Sequence, residues 1–528
     1  MFSINYIGNN LRGNCIEGIE RMAIKIISAT YSGLEGQLID VEVDITRGIP
    51  YFSIVGLPDA AIKEAKERVR SAIVNSGFEF PLGRIVVNLA PADVKKIGSL
   101  LDLPIAIGIL ACSKQINSEY IEDYILFGEL SLAGDIKGVK GTLPIILAGV
   151  SEGKMNFVLP YENLNECKYI KEAKYYPLSN LKESISFLNY RDMLPYDSFL
   201  LEEVSREKYL DFSDIIGQES SKRAMEIVAA GNHNILIYGS TGAGKTMLAN
   251  ALQSILPDLT KEEELEVAKV YSIAGNDKLC NVKRPFRNPH HSITKGALIG
   301  GGNIAKAGEI TLAHRGVLFL DEILEFKRDV LEVLREPLEE GKIKINRLYG
   351  SYELPCDFIM IGSFNVCPCG KSGLENGDVD GCTCSENQKM KYLNRMSKAL
   401  RDRIDLYNYV PKVGYKEIRN NNEMYSSLKM KERVIKAIEV QKERLKGTKY
   451  KYNSEIRGKD VFELCRVSKS IESILESYFD LNSPSLRGYG KLIKISRTIA
   501  DLDGNKDILE ENILEGINYR RDYHGEIV

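Results

Sequence analysis

The pattern that most directly indicates chemistry lies near the middle of the chain, where eight residues read GSTGAGKT. They follow an apolar run over 235–238, which predicts a strand, and precede a helix predicted over 246–255. Glycines let the backbone curl, so that several N–H groups and the positive end of the helix face one phosphate-sized concavity. The pattern G-x-x-x-x-G-K-[ST] in this setting predicts a P-loop for a nucleoside triphosphate, formed by Gly239, Ser240, Thr241, Gly242, Ala243, Gly244, Lys245 and Thr246. Lys245 is expected to reach the β- and γ-phosphates, and Thr246 to bind Mg²⁺.

A second pattern, C-terminal to the P-loop, supplies the acids that ATP hydrolysis needs. The run from Gly316 to Leu320 predicts a buried strand that ends directly in Asp321 and Glu322. Asp321 is expected to complete the Mg²⁺ shell, and Glu322 to orient and activate the attacking water. The two acids could instead begin a helix after a core strand, but a P-loop upstream favours hydrolysis.

Three further polar residues have positions that suit a nucleotide site. Asn365 follows a strand predicted over 358–363, where its side chain can hydrogen-bond the attacking water or the γ-phosphate. Arg403, with Arg401 as a rival in the same segment, can reach a neighbouring subunit's nucleotide as an arginine finger. Arg487 opens a predicted helix and can contact the phosphates from a lid. Taken singly, each is more commonly a turn residue or a surface ion-pair residue.

Four cysteines have a spacing that suits a metal ion. Cys367 and Cys369 form C-P-C, and twelve residues later Cys382 and Cys384 form C-T-C. Four thiolates can close a tetrahedral Zn²⁺ site with Zn–S distances of about 2.3 Å. Because C-x-C is a tighter bite than the usual C-x₂-C, a loop of reduced thiols is the alternative. We expect a structural zinc ion that fixes the loop after Asn365.

Two basic segments suit contact with a nucleic-acid backbone. Residues 278–308 contain six Lys or Arg residues and no acid, which suits contact with phosphates irrespective of base sequence. Residues 341–347 predict a hairpin strand whose alternate polar residues share a face; an exposed basic hairpin without a ligand is the alternative. The adjacent His290 and His291 are expected to point apart on a strand. The candidate DNA contacts are Lys295, Lys306, Lys342, Lys344 and Arg347.

Composition is that of an ordinary globular protein. The chain has 528 residues, of which 44% are hydrophobic and 27% charged, and a net charge of −3. That charge excludes a global field that attracts DNA or membranes, so an anionic partner must meet local basic patches. The longest apolar run, 103–112, is too short to span a bilayer and predicts a core helix. Ten cysteines without a visible secretory signal predict reduced thiols in a cytoplasmic protein with no membrane partner.

The elements that must position these residues fall into successive regions. Residues 1–21 lack usable periodicity and are expected to be a flexible extension. Over 22–190, strand-like stretches mix with helices, the strongest of which is predicted from Asp59 to Ser76, so an α+β or α/β domain is expected. A linker is predicted over 191–212, the P-loop domain over 213–410 and a helical domain over 411–528.

Longer stretches carry a resemblance to a known family. They include VGLPDAAIKEAKERVRSAI (55–73), VNLAPADVKKIGSLLDLPIAIGIL (87–110), FRNPHHS (286–292), ALIGGG (297–302), GEITLAHRGVLFLDE (308–322) and RTIADLDG (497–504). On these stretches the chain from Met22 to about Tyr523 resembles the YifB/ComM family of magnesium-chelatase-like AAA+ ATPases. Two departures are visible. Where the family has N-P-C-P-C-G, this chain has N-V-C-P-C-G, beginning at Asn365. Where the family has S-G-P-L-L-D-R-I-D, this chain has S-K-A-L-R-D-R-I-D, in which Arg403 keeps the position of the family's arginine.

The resemblance implies an α/β fold: a three-layer P-loop AAA+ domain, an N-terminal α+β domain similar to that of Lon protease (ribosomal S5 domain 2-like), and a C-terminal helical lid. It implies that Lys245 and Thr246 belong to the Walker A motif, and Asp321 and Glu322 to the Walker B motif. Asn365 would be sensor 1, Arg403 the arginine finger and Arg487 sensor 2. The implied activity is that of an ATP- and Mg²⁺-dependent hexameric helicase that migrates DNA branches, acting on single-stranded or branched DNA in homologous recombination and natural transformation.

Two other functions stay open at this point. A chelatase-like ATPase that remodels a protein or a metallocofactor would share the motor. An ATP-dependent Lon-like protease would use a serine activated by a lysine, and Ser99 follows Lys95 and Lys96. The P-S-A-G type turn around a Lon-like serine is absent, so a non-catalytic scaffold or DNA-binding domain is preferred for this region.

Overall fold

A computed structural model gives the three-dimensional structure of the chain. It describes residues 23–197, 209–275, 283–301, 307–347, 350–371, 382–414, 425–467, 469–482 and 484–521. The extension predicted over 1–21 and the candidate DNA contact Lys306 lie outside the described residues, and of Arg347 only the backbone is described.

The N-terminal part of the structure is built on a mixed sheet. Its strands are β1 (Ile24–Ser32), β2 (Glu35–Thr46), β3 (Tyr51–Val55), β4 (Arg84–Ala90), β5 (Ile125–Leu126), β8 (Asn156–Pro160) and β9 (Lys174–Leu178), while β6 (Glu129–Leu130) and β7 (Ile136–Lys137) form a separate ladder. The order across the sheet is β3-β4-β2-β1-β5-β8-β9. β2 is antiparallel to both β1 and β4, and β5 is parallel to β1. Strands predicted over 24–29, 37–45, 51–55 and 84–89 all fall within this sheet.

Four helices cover this sheet: α1 (Ala60–Asn75), α2 (Asp102–Cys112), α3 (Thr142–Ser151) and α4 (Leu181–Tyr190). The prediction for α1 is confirmed, since the Asp59 side chain accepts a hydrogen bond of 2.9 Å from the Ile62 N–H and so satisfies a free donor of the first turn. α2 is buried over 102–111, as expected for a helix that is apolar on every face.

The second sheet carries the P-loop. Its strands are β10 (Ile235–Tyr238), β11 (Phe286–Arg287), β12 (Val317–Leu320), β15 (Ile359–Phe364) and β16 (Leu406–Tyr409), and a separate hairpin joins β13 (Lys342–Arg347) to β14 (Gly350–Pro355). The order is β11-β12-β15-β10-β16, and every neighbouring pair is parallel. All carboxyl ends therefore meet at one edge, which is where open α/β sheets bind ligands.

In the described part of residues 209–414, the helices that accompany the second sheet are α5 (Glu219–Gly231), α6 (Lys245–Ala251), α7 (Lys261–Ala274), α8 (Lys295–Ile299), α9 (Glu309–Leu312), α10 (Arg328–Glu332), α11 (Arg335–Glu340), α12 (Glu386–Leu393) and α13 (Lys398–Arg401). The described chain then continues as α14 (Ser427–Leu445), α15 (Asp460–Leu464), α16 (Lys469–Asn482), α17 (Leu486–Leu502) and α18 (Glu510–Asn518). Among the described residues, no helix has the length and hydropathy that crossing a bilayer requires.

The C-terminal helices share a hydrophobic core with the second sheet. Met430 of α14 and Ile495 of α17 are buried in one cluster with Ile235 and Ile237 of β10. Phe212, the last residue of the predicted linker, is fully buried in the same cluster. This packing fixes α17, which begins with Arg487 as its second residue, relative to the strands that position the nucleotide site.

The two sheets are joined through contacts between α3 and α7. The Leu143 N–H donates to Ser272 Oγ at 3.1 Å, and the Gly141 N–H donates to the Ser272 carbonyl at 3.0 Å. Ala268 of α7 is buried in the hydrophobic core of the first sheet. The N-terminal part is therefore packed directly against a helix of the P-loop part.

Candidate active site

The P-loop connects the end of β10 to the beginning of α6. Gly242 and Gly244 have φ values of +80° and +92°, a region that residues with a side chain rarely adopt. Gly244 immediately precedes Lys245, the first residue of α6. The backbone N–H groups of the loop therefore lie next to the positive end of that helix. The geometry is that of an anion cradle, as the sequence pattern predicts.

Oxygen atoms on three sides hold the Lys245 ammonium. Nζ lies 3.1 Å from the carbonyl oxygen of Gly239, 2.8 Å from that of Ser240 and 3.0 Å from Asn365 Oδ1. Burial lowers the pKa of Lys245, an effect that the two acids after β12 partly offset. The ammonium is thus positioned between the P-loop and the end of β15.

The two acids after β12 lie beside the P-loop helix. Thr246 Oγ1 is 3.3 Å from Asp321 Oδ2, so these two groups can ligate one Mg²⁺ ion. Ser363 Oγ donates to the other carboxylate oxygen of Asp321, and the Glu322 N–H donates to Ser363 Oγ at 3.2 Å. Glu322 itself is exposed and has a φ of +51°, a conformation that non-glycine residues keep only where their surroundings enforce it.

Strand register explains how these groups come together. Leu320 pairs with Gly362, so Asp321 and Ser363, the residues that follow, are neighbours across the sheet. In the same way, β10 pairs with β15 through Tyr238 and Phe364, which brings Asn365 beside the P-loop. Sequence reasoning identified Asn365 but missed Ser363. The available signal was its place two residues before Asn365, at the tip of the strand next to the acids.

The predicted finger and sensor 2 arginines meet each other at Glu339 of α11. The Arg403 guanidinium donates to one carboxylate oxygen of Glu339 and, at 3.0 Å, to the Arg335 carbonyl. Arg487 lies 2.7 Å from the other carboxylate oxygen of Glu339, and Arg457 donates to the Glu339 backbone carbonyl. Every one of these partners lies outside the P-loop. Sequence reasoning gave no sign of Glu339, because nothing in α11 resembles a nucleotide-site motif.

Burial opposes ionisation of Glu339, but the hydrogen bond and charge of Arg403 prevail and, together with Arg487 and Arg457, hold its pKa below the usual value. Three guanidinium groups against one carboxylate leave an excess of two positive charges among these four groups. An excess of this kind suits an anionic partner such as a phosphate group.

A buried ion pair anchors α17, the helix that carries Arg487, one turn after that arginine. Lys491 Nζ lies 2.9 Å from Asp405 Oδ1, and both side chains are more than 90% buried. Asp405 also accepts from the Asn234 N–H at 3.0 Å, at the beginning of β10. Lys491 and Arg487 lie four residues apart on one face of α17, so the pair attaches the helix turn next to Arg487 to the segment just before β16.

The four predicted metal ligands come together. The Sγ atoms of Cys367, Cys369, Cys382 and Cys384 all lie within 4.8 Å of one another. Cys367 Sγ lies 3.3 Å from Cys369 Sγ, which lies 3.6 Å from Cys382 Sγ. The Lys371 N–H donates to the Cys369 sulfur and, with the neighbouring thiols, lowers the pKa of Cys369 to about 6. A low thiol pKa and this grouping both suit a metal ion.

The predicted basic hairpin has the expected alternation, but its charge is partly neutralised. Ile343 and Ile345 are buried, while on the opposite face Lys342 is partly exposed and Lys344 is exposed. Lys342 Nζ lies 2.8 Å from a carboxylate oxygen of Glu353 on β14, and Lys344 Nζ lies 4.0 Å from the other. Each lysine keeps more than 40% of its side chain exposed, so both are available to a polyanion.

The other basic segment divides into residues that support the fold and one that is exposed. Arg287 makes a bidentate ion pair with Glu309, with distances of 2.6 and 2.8 Å, whereas Lys295 at the start of α8 is exposed. The prediction that His290 and His291 point apart is wrong, because they lie at a turn after β11 and their ring centroids are 4.1 Å apart.

The candidate protease residues of the N-terminal part have separate partners. Ser99 Oγ donates to the Glu129 carboxylate, and Lys96 Nζ donates to the Pro91 carbonyl. Burial lowers the pKa of Lys96, as a serine-activating lysine would need. However, the hydroxyl and the ammonium each hydrogen-bond a different group.

The chain is similar in sequence to magnesium-chelatase subunits and to the proteins ComM and YifB. Models of the ChlI subunit of magnesium chelatase match residues 211–418 and 41–163, and a model of the ChlI C-terminal part matches residues 424–520. The competence protein ComM of Haemophilus influenzae is 40% identical over 508 residues, which cover 94% of this chain and 98% of that protein. The protein YifB of Escherichia coli is 38% identical over 498 residues, covering 92% and 95%. The magnesium-chelatase 38 kDa subunit of Cereibacter sphaeroides is 25% identical over 178 residues, covering 30% and 53%.

Proposed function

Because the chain belongs to the YifB/ComM family of magnesium-chelatase-like proteins, we propose that it is an ATP-hydrolysing AAA+ motor that acts on DNA. The observation that carries the proposal is the convergence of Lys245, Thr246, Asp321 and Asn365 at one edge of a parallel sheet. As a specific activity we propose a hexameric helicase that migrates DNA branches during homologous recombination and natural transformation.

Each group at this edge has a distinct role in hydrolysis. The Lys245 ammonium exchanges its carbonyl partners for oxygens of the β- and γ-phosphates. Thr246 and Asp321 would hold Mg²⁺, which would supply positive charge next to the phosphates. Glu322, exposed beside them, accepts a proton from the attacking water, and Asn365 orients that water while it stays hydrogen-bonded to Lys245.

The arginines complete the site of a neighbouring subunit in this proposal. Arg403 and Arg487 already share a carboxylate on their own chain, and the cluster around Glu339 has an excess of positive charge. Presented to the γ-phosphate of the next subunit, this cluster stabilises charge in the transition state. Hydrolysis then requires assembly, and an isolated subunit is nearly inactive.

The basic segments would contact DNA from the inner surface of the ring. Lys295 and Lys344 are exposed and Lys342 is partly exposed, and all three lie on short elements that accompany the P-loop sheet. Lys306 and Arg347 extend the same two segments in sequence. Contacts of this kind bind phosphates and not base edges, so we expect little sequence specificity.

Further parts of the proposal concern the remaining regions. Residues 22–190 are proposed to be a Lon-protease-like scaffold without proteolytic activity, and the C-terminal helices after residue 411 a lid over the nucleotide. The four cysteines are proposed to hold a structural zinc ion, supported by their mutual distances. We place the protein in the cytoplasm, where its thiols stay reduced.

The test measures ATP hydrolysis and strand separation for the wild type and Lys245→Ala. We expect forked and branched DNA to stimulate hydrolysis and to be unwound by the wild type, and both activities to be lost in Lys245→Ala because its phosphate contact is removed. Circular dichroism of both proteins controls for folding. A wild type that hydrolyses ATP without DNA stimulation or unwinding would rule out the helicase but not the ATPase.

A chelatase-like remodelling ATPase is the second candidate, favoured by the similarity to the magnesium-chelatase 38 kDa subunit. It would have the same nucleotide site, so the discriminating measurement is which ligand stimulates hydrolysis. Stimulation by a protein client, together with no measurable binding of branched DNA, would favour this function over the helicase.

A further inference from the structure

The tetracysteine cluster and the P-loop are in direct contact through one short turn. The turn runs from Asn365 to Gly370 and contains Cys367 and Cys369. Its first residue accepts the hydrogen bond of 3.0 Å from Lys245 Nζ described above. Its last residue, Gly370, accepts a hydrogen bond of 3.0 Å at its carbonyl oxygen from the Thr241 N–H of the P-loop. Both ends of the turn are therefore attached to the P-loop.

The attachment at Gly370 is close and depends on glycine. Gly370 has a φ of +74°, and a Cβ placed on it would lie 2.2 Å from Thr241 Oγ1. Its N–H donates to the Cys367 carbonyl at 3.0 Å, which closes the turn around the two sulfurs. Movement of the Cys367–Cys369 pair is therefore transmitted to Thr241 through a single residue.

The sulfur positions fit one tetrahedral ion. With Zn–S bonds of about 2.3 Å, tetrahedral geometry places sulfurs about 3.8 Å apart. The Sγ separations among Cys367, Cys369 and Cys382 are 3.3, 3.6 and 3.8 Å, and Cys384 Sγ lies within 4.8 Å of all three. Cys382 and Cys384 lie just before α12, whose first turn is closed by a capping box between Ser385 and Gln388. An ion would thus attach the turn to an ordered helix end.

We propose that one Zn²⁺ ion bound by the four cysteines holds the turn from Asn365 to Gly370 against the P-loop, so that zinc occupancy sets the affinity of the nucleotide site. The inference rests on the proposed ATP site and adds a bound metal ion as a determinant of that site's affinity for nucleotide. Physically, the ion would bond Cys367 and Cys369 of the turn to Cys382 and Cys384 just before α12, and without it the turn loses that attachment. The contacts to Thr241 and Lys245 then lose their fixed partners.

The experiment uses the full-length chain, purified with its metal. Metal content is measured by inductively coupled plasma mass spectrometry, and ATP affinity with a fluorescent non-hydrolysable ATP analogue and excess Mg²⁺. Zinc is removed with a chelator, which is itself removed by desalting before Mg²⁺ is added back. We expect about one zinc per chain and an affinity about tenfold weaker after removal, equivalent to the loss of one or two hydrogen bonds, with recovery when zinc is restored.

Variants give an independent measurement. The double variant Cys382→Ser/Cys384→Ser is expected to lose zinc and to bind the analogue about tenfold more weakly, as the metal-stripped wild type does. Cys112→Ser, a half-buried cysteine of the N-terminal part, is the matched control and should keep both properties. Because the chelator experiment uses unmodified protein, it gives a result even if the double variant fails to fold.

Three outcomes would overturn the proposal. A purified chain without zinc that also fails to bind added zinc rules out the site. A chain that loses zinc yet keeps its affinity for the analogue rules out the control of the P-loop. A disulfide within the cluster under reducing conditions, found by mass spectrometry, would assign the thiols to another chemistry. Failure of the zinc-loaded wild type to bind the analogue would instead contradict the proposed ATP site.

Discussion

The phosphate-binding and the arginine-bearing regions of this molecule are organised in opposite ways. At the P-loop, Lys245 contacts Asn365 and Thr246 contacts Asp321, so groups from three strand ends already face one point. At α11, Arg403 and Arg487 face Glu339. The first region is a nearly complete pocket within one chain, whereas the second is a cationic cluster whose partners lie outside the P-loop. The difference is what a site divided between two subunits requires.

The largest expected effect separates the two regions by function. Arg403→Ala should lower kcat for ATP about 10³-fold, because an arginine finger acts on the transition state, and should leave the affinity for ATP within about twofold of the wild type. Steady-state ATPase assays and equilibrium binding of a fluorescent analogue provide the two numbers. Arg401→Ala is the control, and a larger loss for that variant would transfer the finger role to Arg401.

Glu322→Gln tests the pocket itself. Removing the proposed general base while keeping the side chain's shape should lower kcat about 10²-fold and leave Mg²⁺-ATP bound, since Asp321 and Thr246 are unchanged. Single-turnover kinetics with labelled ATP measure the chemical step. Glu325→Gln, three residues on and paired with Arg395, is the matched control. Undiminished turnover by Glu322→Gln would move the base to another residue.

Glu339→Gln tests whether the arginine cluster needs its carboxylate. The variant keeps a hydrogen-bond acceptor but loses the charge that gathers Arg403, Arg457 and Arg487, so kcat should fall about tenfold with ATP affinity unchanged. The neighbouring Glu340→Gln, which is exposed, serves as the control. Equal activity of the two variants would mean that the arginines are positioned by other contacts.

The smallest effect concerns DNA. Lys342→Ala and Lys344→Ala should each weaken binding of branched DNA about threefold and make its salt dependence shallower, because each removes one proposed phosphate contact, whose charge Glu353 partly neutralises. Binding is measured by fluorescence anisotropy at several salt concentrations. Lys114→Ala, exposed in the N-terminal part, should change nothing; if it weakens binding as much, the hairpin is not a preferred contact.

The same comparison shows what a sequence can and cannot reveal. The P-loop and the acids after β12 were predictable because each is a local motif at the end of an apolar strand, and the strand order then brings them together. Ser363 and Glu339 were not predictable. The role of Ser363 arises from the register of β12 with β15, and that of Glu339 from an ion pair between α11 and α17, which are distant in sequence. The prediction that the His290 and His291 side chains point apart was also wrong, because the two residues lie at a turn and not on the expected strand.

The basic segments illustrate a further limit. Counting charges over 278–308 predicted a uniformly cationic loop, yet Arg284 and Arg287 make ion pairs with Glu263 and Glu309, acids that lie outside the counted stretch. Composition gives the charge of a segment but not the distant residues that neutralise it. The tetracysteine cluster is the opposite case. Spacing in the sequence alone identified the four residues that come together, but the contact of their turn with Thr241 was visible only in the fold.

The central claim, that each ATPase site is built from two subunits, is tested most directly by mixing two inactive variants. Lys245→Ala lacks the phosphate-binding region and Arg403→Ala lacks the finger, so each alone should be inactive. Subunits mixed in equal amounts and reassembled should regain about one quarter of wild-type ATPase activity, the share of interfaces that pair an intact P-loop with an intact arginine. A mixture as inactive as its components, under conditions where mass spectrometry shows mixed rings, would contradict the account.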